Sequence, residues 1–274
     1  MRNQLHRLIW IVRRPLKLRP RSVTEELWRL RWLRRVPARE AGTLPWRGAT
    51  LHFSDGRPVW EQLNDIFVGR VYDFASAAAA PRILDCGAHV GVAVLRLREL
   101  YPSARITAFE ADPAIAELLR RNLTAVGDAS TEVIAAAAWT ADTTVAFRKT
   151  GSDNGYIDAA ASNVISARDL AAFCREPVDL LKLDIEGAEE RVIEHLHACH
   201  VLQRVRRLVC EWHQWTPAAP RLHAALETLV DAGFVYRLAA AGCLGETSAP
   251  VFPALAWPGN QMMLYAWQPS ACPT

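Results

Sequence analysis

The sequence predicts a doubly wound α/β fold. This is a mostly parallel sheet with helices on both faces, an antiparallel pair at one edge and a helical extension at the N-terminus. Three observations carry the prediction. Strand-like and helix-like patterns alternate from Arg82 onward, which is how parallel strands joined by crossover helices read. The apolar run Ile83-Leu84 leads into Asp85-Cys86-Gly87-Ala88-His89-Val90-Gly91, where a carboxylate and two glycines separate a strand from a helix. The stretch Val178 to Asp184 is nearly all apolar, as a central strand buried on both faces must be.

Taken in order, residues 1–45 form a basic, Trp-rich extension. Trp10, Arg13, Arg14, Lys17, Arg19 and Arg21 precede a helical pattern from Val23 to Trp32, with Ser22 as cap and Glu25 closing a capping box. Residues 46–80 form a cap segment with a strand at Thr50–Phe53, a turn at Ser54-Asp55-Gly56 and a helix at Val59–Phe67, ended by the alanine-rich junction before Pro81. The main domain then spans 81–270. Its expected elements are strand Arg82–Cys86, helix Val90–Tyr101, strand Arg105–Glu110, helix Pro113–Val126, strand Glu132–Ala137 and an added strand Thr143–Lys149. A flexible loop, Gly151 to Tyr156, is a lid candidate. Helix Ser166–Cys174, strand Val178–Asp184, helix Ala188–Ala198, strand Arg207–Glu211 and helix Ala218–Ala232 follow, and Gly233–Leu238 with Gln261–Trp267 make the edge pair.

Composition narrows the function. The chain has 274 residues, 51% hydrophobic and 22% charged, with a net charge of +3. Residues 1–40 alone carry +9, so the remainder is −6. A mildly acidic body excludes a general nucleic-acid binder, which needs a basic working face. The basic head reads either as an anchor for anionic lipid or an anionic carrier, or as a helix packed on the body with a solvated face. Six cysteines, Cys86, Cys174, Cys199, Cys210, Cys243 and Cys272, include no closely spaced pair. With no apolar run near the ~20 residues of a membrane span, the expectation is a cytoplasmic protein with reduced thiols.

In a doubly wound sheet, ligands sit at the carboxyl ends of the strands. The glycine loop is expected to bring bare backbone N–H groups of Gly87 to Gly91 to a ligand. Glu110 falls nineteen residues after Gly91, where a carboxylate can accept both hydroxyls of a ribose. The glycine spacing is wider than that of dinucleotide oxidoreductases and suits S-adenosylmethionine. Lys182 and Asp184 share a face at the end of the strand, and Asp184 needs a partner, a ligand or a metal there. Glu211 and His213 project together from the next strand. Asp184, Glu211 and His213 are therefore expected to converge, either as ligands of magnesium or manganese or around His213 as a general base. Glu189 and Glu190 read as acids favourable at a helix start.

These motifs resemble a known family. Asp85 to Gly91, Ala108-Phe109-Glu110-Ala111-Asp112-Pro113, Leu118 to Leu123 and above all Asp179 to Glu189 resemble the FkbM family of S-adenosylmethionine-dependent methyltransferases. Ile66 to Asp73 resembles its lead-in. The likeness covers about residues 60–240. It departs at His89, where the family commonly has Asn, and at Ala111, where it commonly has Pro. It implies a Rossmann-like methyltransferase sheet and O-methylation of a sugar, glycan or glycosylated secondary metabolite. It also implies that Asp85, Gly87, His89 and Gly91 lie at the methionine end of the cofactor, and that Glu110 and Asp184 contact it. Lys182, Asp184, Glu211 and His213 are the catalytic candidates. An NAD-dependent oxidoreductase and a catalytically silent nucleoside-binding module are the alternatives.

Overall fold

The computed structural model describes residues 23–214, 221–240 and 260–271. The basic run before Val23, the Ser22 cap, residues 218–220 of the predicted helix, Cys243 and Cys272 lie outside them. Helix α1 (Val23–Leu30) runs into a 3-10 turn. It buries Leu27 and Leu30, while Trp28 on the other side is 62% exposed under the Arg31 guanidinium. A hairpin follows: β1 (Gly42–Trp46), which was not expected, pairs with β2 (Ala49–Phe53), the expected strand. Its two-residue turn, Arg47-Gly48, has positive φ at both positions, matching the twist of paired strands. Asp55 then caps α2 (Gly56–Phe67) by accepting from the Arg57 N–H.

The central sheet comprises β3 (Arg82–Cys86), β4 (Arg105–Phe109), β5 (Glu132–Ile134), β10 (Leu180–Leu183), β11 (Arg207–Gln214), β12 (Val235–Ala240) and β13 (Asn260–Trp267). Its order is β12-β13-β11-β10-β3-β4-β5. The strands from β11 to β5 run parallel, and β13 lies antiparallel between β11 and β12. The expected parallel sheet with an antiparallel edge pair is the observed one. Helices α3 (Val92–Leu100) and α4 (Pro113–Ala125) connect one half. The other half carries α6 (Glu189–Ala198) and α7 (Leu222–Asp231). Strand order reverses between β3 and β10, so the loops leaving these two strands part and open a crevice.

Period-two alternation builds the two cores. Leu180 and Val209 face a cluster that also contains α1, the hairpin, α2 and α3. Leu181, Leu183, Cys210 and Trp212 face the cluster with α6 and α7. The cap segment and the sheet thus share one apolar cluster.

One prediction fails here. Residues 166–169 are strand, not helix: β9 (Asn163–Asp169) precedes only a single turn, α5 (Leu170–Phe173). Strands β6 (Ala137–Trp139), β7 (Thr143–Arg148), β8 (Tyr156–Ile157) and β9 form a second sheet, β6-β9-β7-β8. The reason is that Ile165 and Ala167 are buried while Val164, Ser166 and Arg168 are exposed, a half-buried strand pattern. Among the described residues, no helix is long and apolar enough to cross a membrane. Cys86, Cys174 and Cys210 are buried free thiols, and Cys199 is exposed.

Candidate active site

The crevice at the β3–β10 divide holds a cavity lined by Gly87, His89, Glu110, Asp112, the Ala136–Ala138 wall and Asp184. The 150–157 segment lies across it through Thr150, Ser152, Asp153, Gly155 and Ile157. Two hydrogen bonds tie that segment to the cap: Ser152 Oγ to Asp55 Oδ2 at 3.0 Å, and Gln62 Nε2 to Asp153 Oδ2 at 3.4 Å. The lid candidate, Gly151 to Tyr156, thus borders the cavity.

The glycine loop is built differently from expectation. Four of the five N–H groups from Gly87 to Gly91 are not bare. Gly87 and Ala88 both donate to Phe109 O, Gly91 donates to Ala88 O, and His89 donates to Glu110 Oε2 at 2.8 Å. The glycines serve packing. A Cβ on Gly87, at φ +87°, would meet Asp184 O at 1.8 Å, and one on Gly91, at φ +97°, would meet Leu119 Cδ1 at 2.5 Å. The loop is thus wedged onto the ends of β4 and β10, with its outer edge left for side chains.

Of the six residues expected at the cofactor, Gly87, His89, Glu110 and Asp184 line the cavity, and Asp85 and Gly91 do not. Asp85 is fully buried beneath the loop, 3.1 Å from Lys182 Nζ. Lys182 also reaches Asp184 Oδ2 at 3.2 Å and donates to Gly87 O at 2.9 Å. Burial alone would lower its pKa, but Asp184 and Asp85 outweigh that and hold it well above the usual lysine range. Lys182 is consequently a fixed cation that joins two strand ends, a setting that disfavours its neutral, proton-accepting form. Glu110 accepts one backbone N–H on each oxygen, from His89 and from Asp112. Burial pushes its carboxyl up to about 7 despite those donors. Each oxygen keeps a lone pair for a further donor. Two carboxylate oxygens beside an apolar alanine wall fit a ribose carrying a purine, so the residues present suit a nucleoside cofactor.

Deeper in the crevice the convergence differs from the expected one. One ligand atom each from Asp184, Glu186 and His213 lies within 4.8 Å of the others. His213 Nε2 stands 3.9 Å from Asp184 Oδ1 and 3.6 Å from Glu186 Oε2. Glu186 takes the place assigned to Glu211. Residues 184–188 form a turn before the helix, with Glu186 at φ 55° and Gly187 at φ 96°. That reversal folds the Glu186 side chain back toward the strand ends. Glu211 lies within electrostatic reach of Asp184, and burial followed by that repulsion lifts its carboxyl to about 7. Glu189 is no simple dipole acid. It is fully buried, accepts from the Ile185 and Gly187 N–H groups, and bonds His213 Nδ1 at 3.0 Å. Burial disfavours a charged His213, but Glu189, Glu186 and Asp184 override it and raise its pKa to about 10.

The fold is a doubly wound α/β sheet whose topological switch carries a cavity suited to a nucleoside cofactor. The chain belongs to the methyltransferase FkbM domain family, whose model matches residues 85–236. It is 30% identical over 214 residues to the methyltransferase sdnD of Sordaria araneosa, a match covering 62% of this chain and 80% of that one. The crystal structure of a methyltransferase FkbM from Methylobacillus flagellatus superposes with a TM-score of 0.49 at 14% identity, over 77% of this chain and 54% of that one. The Synechocystis magnesium protoporphyrin IX methyltransferase with bound S-adenosylmethionine gives 0.44 at 15%, over 77% and 81%. The protein is accordingly a methyltransferase, and membership of the family implies S-adenosylmethionine as its methyl donor. The oxidoreductase alternative is set aside by the same family match.

Proposed function

We propose that the enzyme methylates a hydroxyl of a sugar, a glycan or a glycosylated secondary metabolite, and that Asp184 receives that hydroxyl. The supporting observation is the setting of Asp184: it lies on the cavity wall with Lys182 Nζ at 3.2 Å and His213 Nε2 at 3.9 Å. Bound S-adenosylmethionine supplies an electrophilic methyl group on its sulfonium. The chain's own residues must align the acceptor oxygen, exclude water and take the hydroxyl proton. Asp184 accepts the hydroxyl hydrogen bond, and Lys182 fixes the carboxylate. Glu211, held near 7, is poised to carry the proton away at neutral pH. His213 is charged in this arrangement and acts as a counter-ion, not as the base.

Asp184→Asn tests this reading. Turnover should fall by about 100-fold or more, in the range of lost acid–base catalysis, while cofactor affinity from calorimetry changes only a few-fold. Labelled-methyl transfer to a panel of glycans and aglycones identifies the acceptor; transfer confined to nitrogen or carbon would refute the hydroxyl assignment.

A divalent cation, magnesium or manganese, is a second reading, supported by the clustering of Asp184, Glu186 and His213. Glu189 on His213 Nδ1 is the kind of outer partner that orients a ligating histidine. Full activity after chelation with EDTA would eliminate it. For the basic head, exposed Trp28 beside Arg31 supports contact with an anionic membrane surface. Trp28→Ala should reduce pelleting with anionic liposomes, and unchanged pelleting would leave α1 a packing element.

A further inference from the structure

His89 is one of two residues that depart from the family motif, and its ring presents an unpartnered polar atom at the cavity. It is 5% exposed and lines the cavity with Gly87, Glu110, Asp153 and Asp184. Its backbone sits at φ 48°, a left-handed conformation that swings the side chain away from the following helix. Nδ1 lies 3.1 Å from Gln62 Oε1. Nε2 is buried and has no hydrogen-bond partner among the described residues.

The neighbours settle which nitrogen carries the proton. Gln62 gives its amide N–H to Asp153 Oδ2, so its carbonyl oxygen faces the ring. A carbonyl only accepts, so Nδ1 is the donor and Nε2 carries a lone pair. Burial holds the ring neutral, with a pKa of about 4, although Asp184 and Asp55 favour its charged form. The buried Nε2 therefore asks for a donor delivered from the cavity. On the inferred cofactor, the ribose hydroxyls face Glu110. The electrostatic neighbours of the ring, Asp184 and Lys182, put His89 toward the reacting end. The hydrogen-bond donor there is the α-ammonium of the methionine moiety.

We propose that His89 Nε2 accepts a hydrogen bond from the cofactor's α-ammonium, and that Gln62 and Asp153 hold the ring in the form that can do so. This rests on the S-adenosylmethionine reading of the site. It makes the 150–157 segment a participant in cofactor recognition: Asp153 orients Gln62, Gln62 orients His89, and His89 reads the amine. Gln62 and Asp153 are positioning residues that never need to touch the ligand.

The test pairs a ligand change with a residue change. S-Adenosylhomocysteine and its desamino analogue differ only in the amino group, and calorimetry with the full chain gives both affinities. His89→Phe should weaken S-adenosylhomocysteine about tenfold, a typical cost of one charge-assisted hydrogen bond, and leave the desamino analogue within twofold. Gln62→Leu should weaken S-adenosylhomocysteine several-fold and again spare the analogue. Nitrogen-15 shifts of the ring provide a readout that does not depend on a variant folding. Free protein should show a protonated Nδ1 and a bare Nε2, with the Nε2 signal moving on addition of S-adenosylhomocysteine but not of the analogue. Equal weakening of both ligands, or a ring protonated on Nε2, overturns this proposal alone. Failure of either ligand to bind the wild type overturns the cofactor reading, and this proposal with it.

Discussion

Glu110 shows how a single carboxylate combines readable and hidden properties. Its distance from the glycine loop marks it as a ribose partner, because that spacing spans one helix and one strand of the repeating unit. Its pinning by the His89 and Asp112 amides was not readable, since it depends on the left-handed turn at His89. The raised pKa has a direct consequence for stability. The folded state holds the Glu110 proton up to about 7, whereas an unfolded chain releases it near 4.3. Between those values the folded form binds more protons, so its advantage is complete below about 4.3 and declines as pH rises toward 7. Glu110→Gln should remove that part of the slope, seen as a flatter melting temperature between pH 4.5 and 7, and should weaken cofactor binding by about tenfold or more. An unchanged slope would mean that Glu110 titrates as an ordinary surface acid. Glu186 and Glu189 lie at the limit of sequence reading for a related reason. Both stand where acids favour a helix start, and only the positive-φ turn before α6 shows that Glu186 points into the crevice and Glu189 into the interior.

At the scale of elements, β3 was legible to the residue because an apolar run ending in a glycine turn leaves little choice. The second sheet was not. Its strands are short and half-exposed, and Ser-Ala-Arg-Asp in β9 is compatible with either period. Strand β11 runs three residues past its expected end, to Gln214, which keeps His213 on the sheet and carries it over the end of β10. The loop between β3 and α3 gives a ranking that separates its two glycines. Gly87→Ala places a methyl group on a backbone oxygen, which cannot yield. Gly91→Ala meets the tip of Leu119, which can rotate. Both sit at positive φ and incur strain of about 1–3 kcal/mol; Gly87→Ala should exceed Gly91→Ala by a further 1–3 kcal/mol of overpacking. Urea unfolding midpoints decide, and equal midpoints would show that the loop does not bear on Asp184 as described.

At the scale of the whole molecule, the cap segment is bound to the sheet domain by more than apolar contact. Asn122 of α4 is 1% exposed and spans the junction. It accepts from the His52 N–H and donates to His52 O and Val90 O. One side chain therefore ties the β2 edge to the exit of the glycine loop. Asn122→Ala should destabilise the protein by about 2–4 kcal/mol, since several buried backbone groups lose their partner at once. Unfolding should remain a single transition if cap and sheet form one cooperative unit; two transitions would separate them. The sequence displays Asn122 as part of a helical motif, but its partner seventy residues earlier is a property of the fold alone.

The satisfied amides of the glycine loop bear on the thermodynamics of ligand capture. A loop in which four of five N–H groups already have partners, and in which the Gly87 carbonyl is gripped by Lys182, has little freedom left to surrender. Its ordering entropy is charged to folding and not to association. The cap-tethered 150–157 segment is the part with something left to order. Deuterium exchange on cofactor addition should therefore register there, with amides 87, 88, 89 and 91 equally protected in the free and bound enzyme. The recognition loop is a preformed mould, and the adaptable component of the site stands opposite it.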